Sequence, residues 1–153
     1  MSFKKNFIKF EESIDFNFIS KILSLGDHES FIASRWNASY ILESVFQIRN
    51  IQDNNNGFKK MFDELNKKYN LKKYKSDLDI FYSLISGTRS NTHRDSYHVY
   101  IIGAYGRTLY KVEDKEYIVG PGDLLHIAPY ELHTAIGIDP RIIISFGVRN
   151  NVV

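Results

Sequence analysis

The sequence predicts a mainly β domain with helices confined to its N-terminal part, an α+β chain whose C-terminal half forms a small antiparallel barrel or sandwich. Three observations point there. From about residue 78, LDIFYSLISG, YHVYIIGAYG, RTLYKVEDKEYIVG, DLLHIA and RIIISFGV are short runs rich in Ile, Val, Tyr and Phe, residue types that pack on a pleated surface. Gly or Pro-Gly punctuates most of these runs, with no helical period between them. The clear helical pattern lies upstream, where Phe58, Met61, Phe62, Leu65 and Tyr69 recur at i, i+3, i+4, i+7 and i+11.

Taken in order, MSFKKNFIKFEESIDF mixes acids into short apolar runs and lacks the apolar core of a signal peptide. SIDFNFISKILSL reads as a strand followed by a helical turn ending at Gly26. Residues 29–48 carry both the helical and the strand period, so both stay open there. QDNNNG, 52–57, is a loop. The amphipathic helix that follows turns its lysines to water, and VEDKEY, 112–117, is a hairpin turn. A chain of 153 residues is expected to be one domain, 1–153. Within it, 1–77 is a helix-bearing part framing the barrel at the pocket mouth, and 78–149 supplies the core strands.

Composition narrows the chemistry. Hydrophobic residues at 43% and charged residues at 25% describe an ordinary globular protein. The absence of cysteine excludes disulfides, thiolate catalysis and zinc-thiolate sites, so any metal must be held by His, Asp or Glu. No apolar run approaches the ~20 residues of a membrane span, and a cytoplasmic location is the default. A net charge of +2 is too small to argue for nucleic acid. Lys59, Lys60, Lys67, Lys68, Lys72, Lys73 and Lys75 crowd one stretch, which reads as a solvated helix face.

In GTRSNTHRDSYHVYIIGAYG, 87–106, period-2 geometry puts His93 and Asp95 on one face, in phase with Tyr97, Val99 and Ile101. Apolar successors imply that this face looks inward, where a carboxylate needs a cation to neutralise it. A divalent metal supplies one. Two histidines and one carboxylate leave coordination positions open, the pattern of non-haem Fe(II) oxygenases. Among the remaining histidines His133 has the best context, after a Pro-Gly turn, a short apolar strand and Pro129. His98 falls out of phase and should face outward, while His126 and His28 have no ligand context. Glu131 points to solvent near the mouth, and Trp36 reads as core.

These residues carry a family resemblance. Gly87, His93-Arg94-Asp95 and Gly106 resemble the first motif of the cupins, and GDLLHIAPYELH, 122–133, resembles the Gly-Asp-Leu-Leu-Tyr-Ile-Pro-Pro-Gly-Trp-Trp-His pattern of JmjC-like cupins. SNTHRD is similar to the approach to the metal in Fe(II)/2-oxoglutarate-dependent oxygenases. The resemblance spans roughly 80–149. It implies a double-stranded β-helix (jelly-roll) barrel, Fe(II) held by His93, Asp95 and His133, and 2-oxoglutarate as cosubstrate of a hydroxylase. JmjC-like members use a Lys on the strand after the His-x-Asp, and Thr108 stands at the nearest position here. Other branches use an Arg beyond the distal His. Arg141, eight residues after His133, resembles that arrangement, with Ser145 in phase and Arg107 as second candidate. Ser90, Thr92, Tyr82 and Tyr97 are further candidates for hydrogen bonds to the cosubstrate. A metal-dependent cupin dioxygenase or isomerase without 2-oxoglutarate, and a non-enzymatic small-molecule-binding cupin, are the alternatives. The primary substrate stays open among protein side chains, RNA and metabolites, and cupins commonly form a homodimer through sheet edges.

Overall fold

Alternation along the last strand, Arg141–Arg149, organises the molecule. Ile142, Ile144, Phe146 and Val148 lie in one buried cluster, and Ile143 in another. A strand with apolar groups on both faces must be covered on both. The computed structural model describes residues 2–24 and 42–149, so His28, Trp36 and the stretch 29–41 lie outside the described residues.

Within them, β1 is Ser2–Lys4, α1 Phe16–Ser24 and β2 Phe46–Ile48. A 3-10 turn at Ile51–Asp53 precedes α2, Asn56–Tyr69. Then come β3 (Lys75–Ser83), β4 (His98–Tyr105), β5 (Thr108–Val112), β6 (Lys115–Val119), β7 (Leu124–Ile127), β8 (His133–Gly137) and β9 (Arg141–Arg149). Six strands form one sheet in the order β1-β7-β4-β9-β3-β2, and three form a second, β6-β5-β8. Every pairing is antiparallel. Two facing sheets wound from one chain, with the helices upstream, make the double-stranded β-helix expected for the C-terminal half.

Val99, Ile101, Leu125, Ile127 and Ile143 of the larger sheet meet Tyr110, Val112, Val119 and Ala135 of the smaller one. That cluster is the barrel interior. On the other face Leu78, Ile80, Ile102, Ile142, Ile144 and Phe146 meet Ile19 and Ile22 of α1 and Phe58 and Leu65 of α2. Fully burying a side chain such as Phe146 contributes roughly 1.5–3 kcal/mol. These two helices therefore cover the outer face of the larger sheet, and β1 and β2 are strands of that sheet.

Three local expectations change. SIDFNFIS reads as a strand because Ile14, Phe16 and Phe18 alternate, yet Phe16–Ser24 is helical. Asp15 Oδ1 accepts from Phe18 N at 2.9 Å, a side-chain cap that starts it. The loop at 52–57 is shorter than expected, because Asn55 caps α2 through Phe58 N at 3.0 Å. HTAIG, 133–137, is a strand of its own.

Two glycines allow the windings to touch. A Cβ on Gly103 would stand 2.0 Å from the Gly120 carbonyl oxygen, where the β6–β7 turn crosses β4. Gly106 has φ +63°, and a Cβ there would meet the Pro140 carbonyl at 2.1 Å. Between them Ala104 is the extra residue of a bulge against β9, where Gly103 pairs with Ile143 and Tyr105 with Ile142.

The Gly-Asp of the 122–133 motif is a fastening. Asp123, buried at 3% exposure, accepts from Gly120 N at 2.9 Å, Asn6 N at 3.0 Å and Lys5 Nζ at 2.7 Å. Burial alone would raise its pKa, but these donors outweigh burial and hold it below the usual carboxylate value. A depressed folded pKa gives stability that is present above the unfolded value and is lost as pH falls through the folded one. Urea unfolding should accordingly show wild type losing stability in acid below about pH 4, with a shallower acid slope in Asp123→Asn. Equal slopes would refute this role.

Candidate metal centre

The segment between β3 and β4 runs antiparallel to β8 and extends the smaller sheet. Ser90 N donates to Ala135 O at 2.9 Å, and Arg89 bridges Ile136. His93 and His133 face each other as a bridge, with His93 N to His133 O at 3.0 Å and His133 N to His93 O at 2.9 Å. Two backbone hydrogen bonds thus fix the spacing of the imidazoles, whose ring centroids lie 4.3 Å apart.

Each imidazole is oriented by its own chain. His93 Nδ1 lies 2.7 Å from the Asn91 carbonyl oxygen and His133 Nδ1 2.9 Å from the Glu131 carbonyl oxygen. A carbonyl only accepts, so each Nδ1 carries a proton, and in the neutral ring each Nε2 presents a lone pair. Both Nε2 atoms point at one oxygen. Asp95 Oδ2 is 3.7 Å from His93 Nε2 and 3.5 Å from His133 Nε2. Ligand atoms on a metal with bonds of about 2.1 Å sit about 3.0–3.4 Å apart; here the three lie within 4.8 Å of one another, and a bound ion would draw them together. Among the described residues these three are the one group of three or more His and carboxylate side chains placed to hold a metal ion.

Electrostatics agrees with geometry. The His133 imidazole holds the Asp95 carboxyl below its usual value against the opposing effect of burial, with the charge of Arg149 adding to this. Burial pushes His133 down, but Asp95 and the Glu131 carbonyl win and leave it raised. The pair favours an anion beside a cation, the charge pattern a metal would supply more fully. His133 is nearly enclosed, whereas 45% of the His93 side chain is exposed. The centre therefore opens on the His93 side.

Beyond His133 the inward positions of β8 are Ala135 and Gly137. Small residues thus stand between His133 and Arg141, whose Cδ lies 3.4 Å from the point where a Gly137 Cβ would stand. Arg141 is 3% exposed, and its Nη1 finds no hydrogen-bond partner among the described residues. Burial lowers its pKa, with Tyr110 opposing, and complete burial pushes the Tyr110 hydroxyl up. Thr88 Oγ1 lies 3.3 Å from the same Gly137 point.

Ser145 is half-buried on the same face as Arg141. The remaining candidates are placed differently. Arg107 is turned to solvent, its Nε 2.7 Å and Nη2 3.0 Å from the Asp139 carboxylate, because strand phase points it outward. Thr92 is exposed. The Ser90 hydroxyl accepts from Ala135 N at 3.0 Å and so fastens backbone. Tyr82 stands on the outer face, stacked on Phe46 at 5.0 Å. Glu131 turns back to its own chain and accepts from Ala128 N at 2.8 Å.

Arg149 and Asp77 were not legible as part of this region. Arg149 donates to Asp77 Oδ2 from Nε at 2.9 Å, and its guanidinium lies 4.0 Å over the Tyr97 ring. Its phase with Arg141 and Ser145 was the available signal.

No family model and no curated relative matches the chain. Solved structures do. The ribosomal oxygenase YcfD from Escherichia coli superposes with a TM-score of 0.77 at 17% identity, over 97% of this chain and 48% of that one. The same enzyme in complex with cobalt and 2-oxoglutarate gives 0.75 at 18%, over 97% and 48%. Its complex with cobalt and succinic acid gives 0.76 at 18%, again over 97% and 48%. The chain spans about half the length of these structures, and the likeness is one of fold. No helix among the described residues is long and apolar enough to cross a membrane.

Proposed function

We propose that this protein is an Fe(II)- and 2-oxoglutarate-dependent oxygenase that hydroxylates its substrate. The observation that carries the reading is the convergence of two Nε2 lone pairs and one carboxylate oxygen at an opening in the barrel, with a buried and partly unpartnered arginine further in. The donor set suits Fe(II), since imidazoles and a carboxylate on one face leave the opposite positions free. The complexes of the E. coli ribosomal oxygenase with cobalt and with 2-oxoglutarate or succinic acid lend support through the shared fold.

In this reading His93, Asp95 and His133 hold the metal, which supplies a binding place for the 2-oxo acid and for O2 and the capacity to activate O2. Arg141 receives the distal carboxylate, where a planar guanidinium makes two charge-assisted hydrogen bonds at once. Ser145 adds a hydroxyl on the same face. Val99, Ile101, Ile127 and Val112 keep the interior dry, which strengthens those contacts. The overall change is R–H plus 2-oxoglutarate plus O2 to R–OH plus succinate plus CO2. The Nδ1–H bonds to Asn91 and Glu131 hold both imidazoles in one tautomer throughout. The primary substrate enters on the His93 side, beside Tyr97, Arg149 and Asp77.

Purified protein supplied with Fe(II), ascorbate and 2-oxoglutarate should release succinate slowly even without primary substrate, and 2-oxoglutarate should bind only when metal is present. Metal binding without any 2-oxoglutarate binding would favour a cupin enzyme of another class. Absence of both would remove the catalytic reading.

A further inference from the structure

His98, out of phase with His93, and His126, without ligand context in the sequence, are brought together by strand register. β4 sets Tyr100 opposite His126. His98 lies two residues before Tyr100 on the same face and comes diagonally beside His126, within reach for long or aromatic side chains. The ring nitrogens His98 Nδ1 and His126 Nε2 are 2.9 Å apart. A column of rings holds them there. Tyr100 stacks on His126 at 4.4 Å and 10°, and Tyr69 from α2 stacks on Tyr100 at 4.3 Å. This is the outer face of the larger sheet, opposite the face bearing Val99 and Ile127, and it shares no residue with the His93, Asp95 and His133 group.

We propose that His98 and His126 form a second metal site, a two-imidazole chelate for a divalent transition cation of the Cu2+ or Ni2+ kind. Geometry selects the class. With metal–nitrogen bonds of about 2.0–2.1 Å, a 2.9 Å separation subtends about 90° at the metal. That is the angle between neighbouring ligands of a square-planar or tetragonal centre, the preference of Cu2+ and Ni2+. A tetrahedral zinc site would need the nitrogens about 3.4 Å apart. Two nitrogens this close already share one proton, and a cation would take its place. Burial pushes both imidazoles down, His126 to about 4, so near neutral pH both rings are neutral, the state in which an imidazole binds metal. Among the described residues no carboxylate joins the pair, so water completes the coordination and the hold is weaker than that of a set containing Asp95.

The test is a Cu2+ titration of the full chain carrying Asp95→Ala and His133→Ala, with His28→Gln added to remove the fifth histidine. One Cu2+ per chain is expected, with an electron paramagnetic resonance spectrum showing two imidazole nitrogens. Adding His98→Gln or His126→Gln should weaken binding at least tenfold. Uptake that either glutamine variant leaves unchanged, or no uptake at all, overturns the proposal. Wild-type protein provides a reading that needs no variant. Once a first equivalent of Cu2+ has filled the tighter centre, a further tenth of an equivalent should broaden the His98, His126 and Tyr100 ring resonances in addition to those of His93 and His133. Broadening confined to the latter pair overturns it.

Discussion

Asp95→Ala is expected to weaken divalent metal binding at least ~100-fold, about 2.7 kcal/mol, while the barrel stays folded. Asp95 carries the charge of the donor set, and its Oδ2 is the atom on which both Nε2 groups converge. Two neutral imidazoles without a carboxylate offset much less of the cost of stripping water from a dication. The backbone bridge between His93 and His133 does not involve the carboxylate, so circular dichroism should be unaltered. The pH profile adds a check. The proton on His133 competes with metal, and because Asp95 raises its pKa, wild-type affinity should climb with pH through a range displaced above that of an ordinary histidine. In the variant the climb should shift to lower pH. Anaerobic calorimetry with Fe2+, or with Co2+ as an air-stable stand-in, reads both effects. A variant that binds Co2+ within threefold of wild type would eliminate Asp95 as a ligand.

Arg141→Met should separate binding from stability. The guanidinium is buried with Nη1 unpartnered among the described residues, and an unsatisfied buried donor costs about 1–3 kcal/mol, more when charged. Methionine fills similar space without that cost, so urea unfolding should show a protein as stable as wild type or more stable by about 1 kcal/mol. Affinity for 2-oxoglutarate should fall at least about 100-fold, since a bidentate pair makes two charge-assisted hydrogen bonds at roughly 1.5–3 kcal/mol each. Metal affinity should not change. If 2-oxoglutarate binds the variant as well as wild type, its carboxylate is held elsewhere. If the variant loses both metal and fold, Arg141 is structural.

The barrel was legible because its information is local. Alternating Ile, Val, Tyr and Phe between glycines specify strands with two covered faces, whereas His93 and Asp95, expected on a strand, lie on an irregular segment before β4 and still converge on His133. His133 could be singled out because Pro129 and the Gly-Asp turn set its context within a few residues. What failed depends on register or on caps. The helix at Phe16–Ser24 turned on Asp15 accepting from Phe18 N, which outweighed the alternation of Ile14, Phe16 and Phe18. The meeting of His98 with His126 requires knowing that β4 and β7 are neighbours with Tyr100 opposite His126. Arg107 and Arg141 are equally basic, and only strand phase separates the one on Asp139 at the surface from the one inside.

The bridge between His93 and His133 gives the centre a mechanical role. Asp95 and His133 are 38 positions apart in the chain, and the segment bearing His93 joins the smaller sheet through isolated bridges rather than a full ladder. An ion bound across that seam would act as a removable cross-link, closing a long loop as a disulfide does and lowering the entropy of the unfolded chain. Occupancy would then govern how readily the rim peels away from the barrel. In a chain without cysteine, coordination would be the available means of cinching the two together.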